Sequence, residues 1–164
     1  MKNMKAEYLI LDVDGTLTDG KIYMSSKGEA FKVFDIKDGC GIHDLFPSYG
    51  GKVIVITARQ SEIVRLRCEE LKIDMIYQGV RDKAEKLKEL SEDLGLKQNE
   101  RGEYSGVAYM GDDIIDIPIM RLCEYKGAPK NASASVLNEA TFVSSKNGGD
   151  GAVREFIEYL CEIT

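Results

Sequence analysis

An α/β fold, with a mostly parallel sheet covered by helices on both faces, is predicted from three features of this 164-residue sequence. Short apolar runs that read as buried strands alternate with longer segments of helical character. The composition, 43% apolar and 30% charged, is that of a globular chain. Three of the apolar runs end in polar residues: Asp12 and Asp14, then Thr57, then Asp112 and Asp113. Open parallel sheets bind ligands outside the carboxyl ends of their strands, so these residues are expected to meet.

Composition also narrows the function. A chain of this length forms one domain, 1–164, that buries about 70% of its unfolded surface. The net charge of −6, with no basic stripe, argues against a nucleic-acid partner. No apolar run reaches membrane-spanning length. Residues 1–7 lack the apolar core of a signal peptide, so a cytoplasmic location is expected. Cys40, Cys68, Cys123 and Cys161 are far apart and are expected to be free, buried thiols. His43 is the only histidine, which excludes a multi-histidine zinc site.

The elements follow in order. Tyr8-Leu9-Ile10-Leu11 is the first strand, and residues 22–34 read as a β-hairpin around a polar, Gly-containing turn. A polar Gly-rich loop, 35–41, feeds a short helix near 42–46 that stops at Pro47. A second strand covers 52–57, and Ser61 caps the helix that runs through Leu71. Residues 74–77 form a third strand, and Lys83 opens a helix carrying Leu87, Leu90 and Leu94 that Gly95 closes. After a surface loop at 97–105, the fourth strand is 107–111 and Asp116 lies on the next helix. A weak strand at 124–128, a helix at 134–138, a strand at 141–143 and an amphipathic helix at 152–162 complete the chain.

On a strand, residues i and i+2 point to one side, so Asp12 and Asp14 converge just beyond the first strand. Two carboxylates about 4 Å apart repel by roughly 4 kcal/mol at an effective dielectric near 20, and a cation between them relieves this. Mg²⁺, hard and oxygen-seeking, suits the pair. Gly15 lets the chain turn away with its N–H groups exposed. Carboxylates, the Thr57 hydroxyl, free backbone N–H groups and Lys83 together make a site for a metal and a phosphate.

The sequence resembles the haloacid dehalogenase superfamily of phosphatases, carried by Asp12-x-Asp14-Gly15-Thr16, Thr57, Lys83 and Gly111-Asp112-Asp113-x-x-Asp116. Within it, Asp35-Ile36-Lys37-Asp38-Gly39-Cys40-Gly41-Ile42, Tyr77-Gln78-Gly79 and Gly148-Gly149-Asp150-Gly151-Ala152-Val153-Arg154-Glu155 resemble the 3-deoxy-D-manno-octulosonate 8-phosphate phosphatases. The resemblance implies a Rossmann-like fold with no cap domain and a homotetramer with sites near subunit interfaces. It also implies a sugar-phosphate substrate and catalysis through an aspartyl-phosphate.

By the same resemblance, Asp12 is the nucleophile and Asp14 the general acid and base. Mg²⁺ is held by Asp12, the backbone carbonyl of Asp14, and Asp112, with Asp113 and Asp116 outside them. Gly15, Thr57, Ala58 and Lys83 bind phosphate. Arg59 and Arg67 are expected to receive a substrate carboxylate, because guanidinium offers a bidentate fork. Asp35, Lys37, Asp38 and Gly39 match the family's sugar-binding loop, and His43 stands where an arginine is common. Ala58 replaces a usual glycine, and relatives carry a further tail beyond the position of Thr164. With no cap visible, the hairpin is expected to pack between subunits and cover the site.

Arg59 favours an eight-carbon substrate over the nine-carbon sialic-type 9-phosphates, the alternative in this family. A cytidylyltransferase-associated role and a non-catalytic assembly domain are the remaining alternatives. A phosphorylation-switched receiver domain shares the residue types, but it carries its acidic pair early and its lysine late.

Overall fold

The computed structural model describes residues 4–73 and 75–162. Asp74, the expected first residue of the third strand, lies outside them. Strand β1 (Tyr8–Leu11) is followed by a hairpin, β2 (Tyr23–Ser25) and β3 (Gly28–Phe31). Helix α1 (Ile36–Cys40), a π-turn (Gly41–Leu45) and α2 (Phe46–Ser48) make one continuous helical run. Then come β4 (Lys52–Ile56), α3 (Glu62–Glu70), β5 (Met75–Tyr77), α4 (Lys83–Leu94) and β6 (Tyr104–Met110). A 3-10 turn (Ile114–Asp116) leads to α5 (Ile117–Met120), β7 (Cys123–Ala128), α6 (Ala134–Glu139), β8 (Phe142–Val143) and α7 (Ala152–Leu160).

Six strands form one sheet in the order β5-β4-β1-β6-β7-β8, parallel throughout, with β1 at its centre. Strand alternation sorts the core into two layers. Leu9, Leu11, Val53, Val55, Ala108 and Met110 face α3 and α7. Ile10, Ile54, Ile56, Val107 and Tyr109 face α4, α5 and α6. Burying each such large aliphatic chain contributes about 1.5–3 kcal/mol. Between β1 and β4 the chain builds only the hairpin and the helical run, and between β5 and β6 only α4.

Several expectations change. The polar stretch at 35–41 is helical, because Asp35 caps it by accepting from the N–H groups of Lys37 and Asp38. Pro47 does not stop the run. Proline cannot donate to the helical ladder, and a π-turn immediately before it absorbs the break, with Phe46 N–H reaching Gly41 O. The fourth strand starts at Tyr104 rather than 107, since the Tyr104 N–H pairs with Leu122 O and draws the expected loop into the sheet. Cys40 is exposed on α1, whereas Cys68, Cys123 and Cys161 are buried; all four are free thiols. Among the described residues, no helix is long and apolar enough to cross a membrane.

Candidate functional site

Strand order brings the carboxyl ends of β4, β1 and β6 side by side, and the polar residues that follow them close one small cleft. Asp12, Asp14, Gly20, Thr57, Ala58, Arg59, Asp112, Asp113 and Ile115 line a volume of about 240 Å³. That is below the usual span of small-molecule pockets and suits a phosphate better than a whole sugar. A larger cavity of about 380 Å³ lies at the amino ends of β4 and β5, among Ile42, Lys52, Val53, Ile73 and Met75. Among the described residues it carries no carboxylate, whereas the smaller cleft carries four.

The turn after β1 is held from several sides. Gly15 has φ +88°, and a Cβ built on it would sit 1.9 Å from Asp112 Oδ2, so only glycine lets that carboxylate approach. The Gly15 N–H donates to Thr18 Oγ1 at 3.2 Å, which commits it inside the turn. Behind the turn lies the Gly148–Gly149 loop, where a Cβ on Gly148 would come 1.9 Å from the Gly15 carbonyl oxygen.

Beneath the cleft lies a buried network. The Lys83 ammonium donates to Asp12 Oδ1 at 2.6 Å, Asp116 Oδ1 at 2.7 Å and the Tyr109 hydroxyl at 3.2 Å. An ammonium has three donors, and all three are used here. Burial alone would lower the Lys83 pKa; the Asp12 and Asp116 carboxylates outweigh it and hold the lysine charged. Burial pushes Asp12 up to about 6, and Lys83 restrains the rise. Asp116 accepts four hydrogen bonds: Lys83 and Tyr109 on Oδ1, the N–H groups of Asp112 and Asp113 on Oδ2. Its acceptor capacity is filled.

Asp12, Asp112 and Asp116 each offer a carboxylate oxygen, and these oxygens lie within 4.8 Å of one another. No cation pairs with Asp112 among the described residues. Burial, then Asp12, Asp116 and Asp113, push its carboxyl up to about 8. With Asp116 saturated, Asp12 and Asp112 hold the free lone pairs. This donor set fits a hard divalent cation.

Other expected site residues fall elsewhere. Asp38 is buried and accepts from the Arg154 N–H at 2.8 Å, so it serves the N-terminus of α7, where Gly151 has no side chain to offer. Arg67 packs under α1, with Nη2 2.5 Å from a Cβ built on Gly39, and pairs with Glu70. Gly39, His43 and Arg67 line a groove on the outer side of α1 and α3, apart from the cleft within this chain. Asp35 caps α1 and binds Lys37 at 2.8 Å, while His43 meets Asp44 at 2.7 Å. Asp113 caps the 3-10 turn by accepting from Ile114 N–H at 2.7 Å.

The sequence reading missed Tyr109, Lys32 and Glu29. Lys32 Nζ lies 2.6 Å from Asp14 Oδ1 and 2.9 Å from Glu29 Oε1. Tyr109, a hydroxyl inside an otherwise apolar strand, was visible as an anomaly. The hairpin residues had no such signal.

A family model of haloacid dehalogenase-like hydrolases matches residues 56–157. The 3-deoxy-D-manno-octulosonate 8-phosphate phosphatase KdsC of Escherichia coli K12 is 40% identical over 152 residues, covering 93% of this chain and 77% of that protein. The Yersinia pestis KdsC is 38% identical over 93% of this chain and 78% of its own. Among solved structures, the Moraxella catarrhalis 3-deoxy-D-manno-octulosonate 8-phosphate phosphatase, in complex with magnesium, phosphate and KDO, superposes with a TM-score of 0.88. It shows 33% identity over 98% of this chain and 88% of that one.

Proposed function

Because the chain belongs to the haloacid dehalogenase-like hydrolase family, we propose that it is a Mg²⁺-dependent phosphatase acting on 3-deoxy-D-manno-octulosonate 8-phosphate. The observation that carries this reading is the buried Lys83–Asp12 pair at the mouth of β1, beside the uncompensated Asp112. Identities of 38–40% to named phosphatases of this ester support the substrate.

The mechanism follows from these residues. Lys83 fixes Asp12 Oδ1, leaving the other oxygen to attack phosphorus. The bond from phosphorus to the sugar oxygen breaks with its electron pair on that oxygen. Asp14 supplies the proton that makes it an alcohol. Water then attacks the aspartyl-phosphate, Asp14 takes its proton, and Asp12 leaves as a carboxylate with inorganic phosphate released. Asp12, the Asp14 carbonyl and Asp112 would hold Mg²⁺, which when bound supplies positive charge against the phosphate oxygens. Thr57 and the Ala58 N–H receive phosphate oxygens. Lys83, with its protons already committed, acts through Asp12 and Asp116 and by its charge.

The cleft is too small to enclose an eight-carbon sugar acid. We therefore propose a homotetramer in which the outer groove of one copy, with Gly39, His43 and Arg67, faces the cleft of another. Exposed apolar side chains support an assembly surface: Ile22, Met24, Phe31 and Val33 around the hairpin, and Ile36, 81% exposed, on the groove. Light scattering after size exclusion checks this; a fully active monomer overturns it.

Phosphate release is to be measured from the eight-carbon ester and a nine-carbon sialic-type 9-phosphate, with Mg²⁺ and with EDTA, beside Asp12→Asn. Preference for the eight-carbon ester, lost with EDTA and in the variant, is the expected result. Preference for the nine-carbon ester keeps the chemistry and overturns the substrate.

A further inference from the structure

We propose that Lys32 is a positioning residue for Asp14, so that the hairpin belongs to the catalytic apparatus of its own chain. The inference rests on the phosphatase reading, which gives Asp14 the proton but assigns the hairpin no part in the chemistry.

The Lys32 side chain is only 3% exposed, against 59% for Lys37 nearby. An ammonium stripped of water needs charged or polar partners. Lys32 has two, Asp14 Oδ1 at 2.6 Å and Glu29 Oε1 at 2.9 Å. Glu29 accepts the Ser61 hydroxyl at 2.5 Å, and Ser61 caps α3 directly after the Thr57–Arg59 segment. Arg59 closes the circuit, 3.5 Å from Glu29 and 3.8 Å from Asp14. The hairpin is thus tied to both loops that line the cleft.

Its stem is tied as well. Thr18 bridges to Phe34, and the Tyr23 hydroxyl donates to Asp19 Oδ2 at 2.5 Å. Asp14 opens the turn after β1, and Gly15 and Gly20, both with positive φ, follow it; neither has a side chain to hold the carboxylate. Lys32 supplies the aim. With Oδ1 held by the ammonium, Oδ2 is the oxygen left to exchange a proton in the cleft.

A brace that merely stabilises the fold and a group that positions an acid differ in one readout, the dependence on leaving group. In the transfer step the sugar 8-phosphate expels an alkoxide and needs the Asp14 proton, whereas p-nitrophenyl phosphate expels a stable phenolate and does not; hydrolysis of the aspartyl-phosphate uses Asp14 for both, so the transfer step is read alone, as the single-turnover rate of alcohol or phenol release. In Lys32→Met, the single-turnover transfer rate on the sugar ester is expected to fall about 10- to 100-fold, part of the usual worth of general acid catalysis. KM changes little, and the loss on the aryl ester is at least tenfold smaller (about 1- to 10-fold). Lys32→Arg restores part of the loss. On an Asp14→Asn background, Lys32→Met adds nothing further.

Equal losses on both esters, no loss, or fully additive losses overturn the proposal. A wild-type chain inert on both esters overturns the phosphatase reading instead. The contact is then decided by hydrogen exchange: β2 and β3 amides are expected to lose protection in Lys32→Met, and unchanged protection overturns it.

Discussion

Lys83 is the residue on which the buried chemistry turns, because two carboxylates and a hydroxyl depend on its one charge. Lys83→Met leaves Asp12 and Asp116 without a cation in a water-excluded pocket. Activity is expected to fall about 10²- to 10³-fold, and urea titration to show a loss of about 3–5 kcal/mol, the usual cost of breaking a buried pair. Asp38 offers a pH test away from the chemistry. Burial first, then Asp35, raises its carboxyl from 3.8 to about 6. A raised carboxyl favours the protonated folded state, so this stability is fully present below pH 3.8 and disappears as pH rises through 6. Between pH 5 and 7 the wild type is expected to lose about 1 kcal/mol that Asp38→Asn does not, read from urea midpoints. At this scale Asp12, Asp14, Thr57 and Asp112 were legible, since a residue just past an apolar strand has one place to go. Asp38 was not, since only the packing of α1 against α7 shows that its carboxylate accepts from the Arg154 N–H.

At the scale of elements, the strands were legible from their apolar runs, and α3, α4 and α7 from caps and periodicity. Of the helical run from Ile36 to Ser48 only the part near 42–46 was, because two glycines and a proline argue locally against helix. Asp35 as a cap, the π-turn and the packing against α7 outweigh that local preference. The Gly148–Gly149 loop belongs to this scale too: it is a backstop for the turn after β1. Gly148→Ala would drive a methyl into the Gly15 carbonyl. It is expected to cost about 1–3 kcal/mol of stability, as overpacking does, and to lower kcat more than KM, because Gly15 and Asp112 are displaced together. Gly95→Ala, at a φ of +64° but with nothing within 4 Å, is the control, strained in backbone alone and expected to leave kcat unchanged.

At the scale of the whole molecule, the sheet order could not be read from the sequence, because apolar runs do not say which strand lies beside which. That order is what crowds Asp12, Asp112 and Asp116. The crowding makes stability respond to metal. Mg²⁺ at a hundredfold excess over its dissociation constant is expected to stabilise the chain by about 2.7 kcal/mol. In thermal melts Asp112→Asn is expected to lose that response, and in EDTA to melt no lower than wild type, since one of the mutually repelling carboxylates is gone.

Strand β1 lies at the centre of the sheet yet comes first in the chain, and this has a consequence during synthesis. Asp12 emerges from the ribosome 71 residues before Lys83, and Asp116 follows 33 residues after that. At typical elongation rates Asp12 waits roughly 5–20 s for the last of its partners. A nascent chain that has reached only α4 can pair β1 with β4, and β4 with β5, but one flank of β1 stays open until β6 arrives. Translation therefore acts as a timer, and the half-made protein is born unarmed.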